Sequence, residues 1–204
     1  MTDCQLYLIS PLDVTGPFPD RLARALDAGP VAAFQFRVKD IDQHEAARLA
    51  APLQAICAER EVAFIVNDSI ALAKRLKADG VHLGQGDGDV AEARDALGGE
   101  AQIGVTCHAS RHLAMEAGEA GADYVAFGSF FDSATKASEH RPDVGILEWW
   151  SKLFEIPCVA IGGIEPENAR PLIEAGADFL AVSSAVWRGD EAEAVRRFGR
   201  VIRG

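Results

Sequence analysis

In the run Gln35, Phe36, Arg37, Val38, Lys39, polar and apolar side chains alternate. As a strand it would put Gln35, Arg37 and Lys39 on one face and Phe34, Phe36 and Val38 on the other. An amide and two cations at one strand end form an anion site, because the arginine fork matches phosphate oxygens and the lysine adds a point charge. Solvated ion pairs to Asp40 or Asp42 are the plainer use of the same residues. Asn67 and Asp68 end the next apolar run, and Gln85 and Asp87 follow the one after it, in VHLGQGD. Two carboxylates delivered to one rim beside an anion site suit a Mg²⁺ ion bridging acid oxygens and a diphosphate. Taken singly, Asp68 could cap a helix starting near Ser69, and Asp87 could sit in a turn between Gly86 and Gly88. His82 alternates with Val81 and Leu83, which predicts a hydrogen-bonded interior histidine rather than a base.

A second set of anion-binding residues lies late in the chain. AIGGI carries Gly162 and Gly163, whose amides can approach an anion closely, and AVSSA adds the hydroxyls of Ser183 and Ser184. Thr106 closes a further apolar run. Thr135 and Lys136 lie in the long irregular connection from Ser129 to about Gly145, a length usual for lids and binding loops. One cationic site with metal-binding acids and one neutral, amide-rich site predict two phosphorylated small-molecule substrates.

The elements that must carry these residues alternate in period. Strands are predicted at Gln5 to Ser10, Ala32 to Val38, Ala63 to Asn67, Gly80 to Leu83, Gln102 to Thr106, Tyr124 to Gly128, Cys158 to Gly162 and Phe179 to Ser183. Helices are predicted after each: Asp20 to Asp27, Glu45 to Glu59, Ile70 to Leu76, Val90 to Leu97, Arg111 to Ala120, Ile146 to Phe154, Pro166 to Ala175 and Glu191 to Ile202. Eight such units in 204 residues give a compact α/β chain, a (β/α)8 TIM barrel, with the polar residues above at the C-terminal strand ends where barrels carry chemistry. The phrases KADGVHLG, AGADYVAFG and AGADFLAVS share a small-residue turn, an acid and a strand, and Gly80, Gly121 and Gly176 read there as ordinary helix C-caps.

Composition agrees. Half hydrophobic (49%) and a quarter charged (25%), with no linker or low-complexity stretch, the chain reads as one globular domain over 1–204. A net charge of −11 excludes a protein held by nucleic-acid phosphates or anionic lipid. Cys4, Cys57, Cys107 and Cys158 form no CxxC pair, so neither a zinc site nor a redox dithiol is predicted, and they read as reduced, buried residues. No basic, apolar leader and no long apolar stretch is present, which predicts a cytoplasmic protein.

The ordered pieces QFRVK, VND, DGVHLGQGD, GVTCH, GADYVAFGSFFDSATK, PCVAIGGI and GADFLAVSSA resemble the thiamine-phosphate synthase family, from the second predicted strand to the eighth. The resemblance implies a Mg²⁺-dependent transferase. It would join 4-amino-5-hydroxymethyl-2-methylpyrimidine diphosphate to a thiazole phosphate, releasing pyrophosphate and leaving thiamine monophosphate. By position, Gln35 would contact the pyrimidine, Arg37, Lys39, Asn67 and Lys136 would hold the diphosphate, and Asp68 and Asp87 would bind the metal. Thr106 occupies the family's Ser/Thr position near the reacting centre, and Thr135, Gly163, Ser183 and Ser184 would receive the thiazole phosphate. Arg37, Lys39, Thr106 and Lys136 would carry catalysis, which the family performs dissociatively: pyrophosphate leaves first and the electron-rich ring bears the cation. Two positions depart from the family pattern. Ser69 stands where an Arg or an acid is common, and Asp132 and Ser133 where Pro-Thr is common, which puts an extra acid in a loop that closes on a diphosphate. A related thiazole tautomerase would have a catalytic His at Ser129 and a depleted diphosphate site, and a non-catalytic relative would keep only the thiazole-phosphate site; the retained Arg37, Lys39, Lys136, Asp68 and Asp87 favour the synthase.

Overall fold

The computed structural model describes residues 4–132 and 141–204. Eight parallel strands close into a barrel in sequence order: β1 (Gln5–Ile9), β2 (Ala33–Phe36), β3 (Ala63–Asn67), β4 (Gly80–Leu83), β5 (Gln102–His108), β6 (Tyr124–Gly128), β7 (Cys158–Ile161) and β8 (Phe179–Val182). Around it run α1 (Phe18–Asp27), α2 (Gln43–Ala58), α3 (Ile70–Leu76), α4 (Val90–Leu97), α5 (Arg111–Glu119), α6 (Gly145–Leu153), α7 (Arg170–Glu174), α8 (Ser184–Trp187) and α9 (Glu191–Arg203). Among the described residues no helix is long and apolar enough to cross a membrane.

The period-2 alternation sorts the core into two layers. Leu6, Leu8, Phe34, Phe36, Val81 and Leu83 pack outward against the helices, while Tyr7, Ile9, Ile65, Tyr124, Ala126, Val159 and Ala181 fill the barrel. Gln35 and His82 are buried with the inner set, as alternation predicts. All four cysteines are free and buried, and burial pushes each thiol up to about 12.

The repeated acids have a definite use at the bottom of the barrel. Asp79, Asp123 and Asp178 each accept a hydrogen bond from a backbone N–H at the start of a neighbouring strand, from Phe64 (2.7 Å), Ile103 (2.7 Å) and Cys158 (2.8 Å). Each clamp satisfies a donor that the sheet ladder leaves open. Gly80, however, is not a helix cap. The left-handed residue ending α3 is Lys77, and Gly80 is required because a Cβ there would lie 2.1 Å from the carbonyl oxygen of Gln102.

Most boundaries shift by a residue or two from expectation, and three of the shifts have an evident local reason. β2 stops at Phe36 because the N–H of Arg37 is taken by Ser10 Oγ at 2.9 Å rather than by a strand partner. β5 runs on to His108 through an irregularity between Thr106 and His108, a device that re-aims side chains at barrel rims. α7 is shortened because Asn168 bridges its own turn, accepting from the N–H of Glu165 (2.9 Å) and donating to the carbonyl of Gly163 (3.1 Å). The short helix α8 immediately follows β8, where no helix was predicted.

Candidate active site

The C-terminal rim gathers the charged residues in one place. Asn67 is the last residue of β3, and Asp68 turns off the strand with φ +66°, its N–H donating to the carbonyl of His82 at 2.8 Å. Asp68 does not cap α3. That role belongs to Ser69, whose Oγ accepts from the N–H of Leu72 at 3.2 Å and so holds the helix start. A left-handed conformation costs a residue other than glycine some strain, least for Asn and Asp. Asp87 sits in the turn after β4, its Oδ2 accepting from the N–H of Gly84 at 3.1 Å. Burial and the facing Asp87 push the Asp68 carboxyl up, with Lys39 and Arg37 pulling the other way. Lys39 Nζ stands 4.0 Å from Asp68 Oδ2, so its partner is Asp68 rather than Asp40 or Asp42; Asp42 caps α2 instead. Arg37, Lys39, Asp68 and Asp87 therefore form one cluster.

Below it, polar side chains span the barrel. Gln35 Nε2 donates to Tyr7 Oη (3.0 Å), Tyr7 Oη lies 3.0 Å from Tyr124 Oη, Tyr124 Oη lies 3.1 Å from His82 Nδ1, and His82 Nε2 lies 2.8 Å from Thr106 Oγ1. Burial lowers the His82 pKa to about 4 and raises that of Tyr7 to about 12, so at neutral pH the imidazole is uncharged and the phenol protonated. Gln85 Nε2 donates to the carbonyl of Thr106, at 2.5 Å. Tyr7 and Tyr124 escaped sequence reasoning; the glycine inside β5, Gly104, was the available signal.

On the far side, β7 and β8 pair in register from Val159–Phe179 to Ile161–Ala181, which sets Gly162 and Gly163 beside Ser183 and Ser184. Ser183 precedes α8 without a side-chain cap, leaving the helix's first amides open to the rim. Ser183 Oγ lies 3.4 Å from the carbonyl of Ser10, and Ser184 Oγ takes a long contact (3.4 Å) from Arg188, which also pairs with Glu165 at 2.6 Å. Gly163, at φ +62°, is constrained by more than anion approach: a Cβ would lie 2.5 Å from the carbonyl oxygen of Asp132 and 2.7 Å from that of Phe131. The Asp132 side chain is 93% exposed and paired with Arg141, so the extra acid points outward and is neutralised. Ser129 Oγ donates to the carbonyl of Phe131 at 2.9 Å. Thr135 and Lys136 lie outside the described residues.

Residues 6–186 match the family described as thiamine monophosphate synthase. The chain is 76% identical to a thiamine-phosphate synthase of Erythrobacter litoralis (strain HTCC2594), over 97% of this chain and 95% of that one. It is 52% identical to one of Rhodospirillum centenum (strain ATCC 51521 / SW), over 100% of each. Among solved structures it resembles thiamine phosphate pyrophosphorylase from Pyrococcus furiosus, with a TM-score of 0.87 and 29% identity, covering 99% of this chain and 96% of that one. With sequence and fold in agreement, the chain belongs to the thiamine monophosphate synthase family.

Proposed function

We propose that the chain joins 4-amino-5-hydroxymethyl-2-methylpyrimidine diphosphate to a thiazole phosphate, forming thiamine monophosphate and releasing pyrophosphate. The observation that carries this reading is the cluster in which Asp68 faces Asp87 with Lys39 at 4.0 Å and Arg37 nearby. Two cations beside two facing acids suit a diphosphate with a bridging metal better than a monophosphate alone. The tautomerase reading is disfavoured by the same cluster and by Ser129, whose hydroxyl is spent on the carbonyl of Phe131.

In this reading Arg37 and Lys39 grip the diphosphate and gain interaction energy as the departing group accumulates charge, which is where binding accelerates a reaction. Asn67 and Lys136 complete that grip. Gln35 and Thr106 orient the pyrimidine, and Gly163, Ser183, Ser184 and Thr135 hold the thiazole phosphate, so that the thiazole nitrogen meets the carbon from which pyrophosphate leaves. No general base is needed, in keeping with a neutral, buried His82.

A Mg²⁺ ion fits the donor set. Asp68 and Asp87 crowd two hard carboxylates together, raising the Asp68 carboxyl, and a divalent cation relieves that repulsion. Substrate phosphates and water would supply the remaining ligands. Bound there, the ion supplies positive charge against the diphosphate oxygens. The partners are thus small molecules, with neither nucleic acid nor membrane, and the setting is the cytoplasm. Incubation of the purified protein with both substrates and Mg²⁺ tests the reading: pyrophosphate and thiamine monophosphate should appear in equal amounts, and their absence overturns it.

A further inference from the structure

Five strands contribute one side chain each to an unbroken line of hydrogen bonds: Gln35 on β2, Tyr7 on β1, Tyr124 on β6, His82 on β4 and Thr106 on β5. With the Gln35 amide turned so that Nε2 faces Tyr7, counting protons gives its direction. Gln35 Nε2 only donates, so Tyr7 Oη accepts there and its own proton goes to Tyr124 Oη. Tyr124 then gives its proton to His82 Nδ1, which puts the imidazole proton on Nε2, facing Thr106 Oγ1. Thr106 accepts it and keeps its own hydroxyl proton for the barrel mouth, where the residue is half-exposed. In the opposite direction Tyr7 would receive two protons and bury its own without an acceptor, which is strongly unfavourable. At the other end, Nε2 turned inward leaves Gln35 Oε1 turned away from Tyr7. Among the described residues that oxygen has no hydrogen-bond partner.

We infer that this line sets the hydrogen-bonding polarity of the pyrimidine subsite, presenting an acceptor at Gln35 and a donor at Thr106 as a linked pair. The inference rests on the function proposed above. A 4-aminopyrimidine offers the matching pattern, an amino donor and ring-nitrogen acceptors. A 4-oxopyrimidine offers the reverse, a carbonyl acceptor in place of the amino group and a proton on a ring nitrogen. To accept the oxo ring, the Gln35 amide, both tyrosine protons and the His82 tautomer would all have to reverse together. Tyr7, Tyr124 and His82 are thus positioning residues for substrate choice: they act through Gln35 and Thr106.

Two measurements test this. ¹⁵N NMR of the substrate-free wild-type protein should show His82 as the Nε2–H tautomer; an Nδ1–H imidazole overturns the inference without reference to activity. Second, the ratio of kcat/KM for the 4-amino over the 4-oxo pyrimidine diphosphate is compared in wild type, Tyr124→Phe and Tyr7→Phe. Loss of either hydroxyl uncouples the two ends, so the ratio should fall roughly tenfold or more, the effect of one lost hydrogen bond that sets orientation. A ratio unchanged in both variants overturns the inference, and the two separate positions guard against one variant failing to fold. A wild-type protein that shows the Nε2–H tautomer but makes no thiamine monophosphate overturns the functional reading, and the substrate-choice role with it, while the direction of the line stands.

Discussion

Gly104 and Tyr124 are register partners on β5 and β6, and a Cβ at Gly104 would lie 2.0 Å from Cζ of the Tyr124 ring. The phenol occupies the room a side chain would need, lies within 25° of parallel to the His82 ring, and so brings its hydroxyl between Tyr7 and His82. Neither ring nor strand can move cheaply in a closed barrel. Gly104→Ala should therefore destabilise the protein by about 1–3 kcal/mol through overpacking. The measurement is urea unfolding, with a lower midpoint at unchanged slope; an alanine variant as stable as wild type would mean that the ring is free to shift.

The facing acids predict opposite effects with and without magnesium. Burial and Asp87 raise the Asp68 carboxyl in the folded protein, so in the absence of metal its favourable contribution exists only while it is protonated and is lost as pH rises through the folded value. Asp68→Asn should thus raise Tm at pH 7 without magnesium and leave it nearly unchanged in strong acid. With Mg²⁺ at a hundred times its Kd the wild type should gain about 2.7 kcal/mol, a gain absent from Asp68→Asn and Asp87→Asn. Melting curves with and without the ion check both statements.

A second carboxylate gives the opposite sign. Glu191 begins α9 almost fully buried (3% exposed), accepting from Arg24 Nε at 2.8 Å and Arg21 Nε at 3.0 Å on α1. Burial alone would raise its carboxyl, but the Arg24 and Arg21 hydrogen bonds hold it below the usual range. Its stabilisation is present above the ordinary glutamate pKa and lost as pH falls through the lowered value. Glu191→Gln should cost about 1–2 kcal/mol at pH 7, with Arg24 largely solvated, and the cost should shrink on acidification. A penalty independent of pH would assign the effect to packing.

The barrel, the outward set Phe34 and Phe36 and the inward set Gln35 and His82 were legible because strand alternation is a property of consecutive residues. The clustering of Arg37 and Lys39 with Asp68 and Asp87 was legible from their shared position at strand ends. What stayed hidden depends on partners far apart in the chain. Tyr7 and Tyr124 are 117 residues apart, and alternation says only that each points inward, not that their hydroxyls meet. The truncation of β2 depends on Ser10 taking the Arg37 amide, and the shortening of α7 on Asn168 folding back on Gly163, both choices between two hydrogen bonds that local propensity cannot rank.

The β7–β8 side of the rim allows the two phosphate subsites to be separated by kinetics. Ser184 keeps a hydroxyl proton to give, since its contact with Arg188 uses only its oxygen as acceptor. Ser184→Ala should raise KM for the thiazole phosphate by roughly tenfold while leaving KM for the pyrimidine diphosphate unchanged. Gly163→Ala should behave differently. Its Cβ would press on the carbonyls of Phe131 and Asp132, and the chain leads from there into the segment that carries Thr135 and Lys136. If, as proposed, Thr135 holds the thiazole phosphate and Lys136 the diphosphate, displacement at Gly163 should raise KM for both substrates and lower kcat as well. Steady-state kinetics with each substrate varied in turn distinguishes the two patterns; a Gly163→Ala enzyme impaired only toward the thiazole phosphate would show that this glycine serves anion approach alone and does not support the loop.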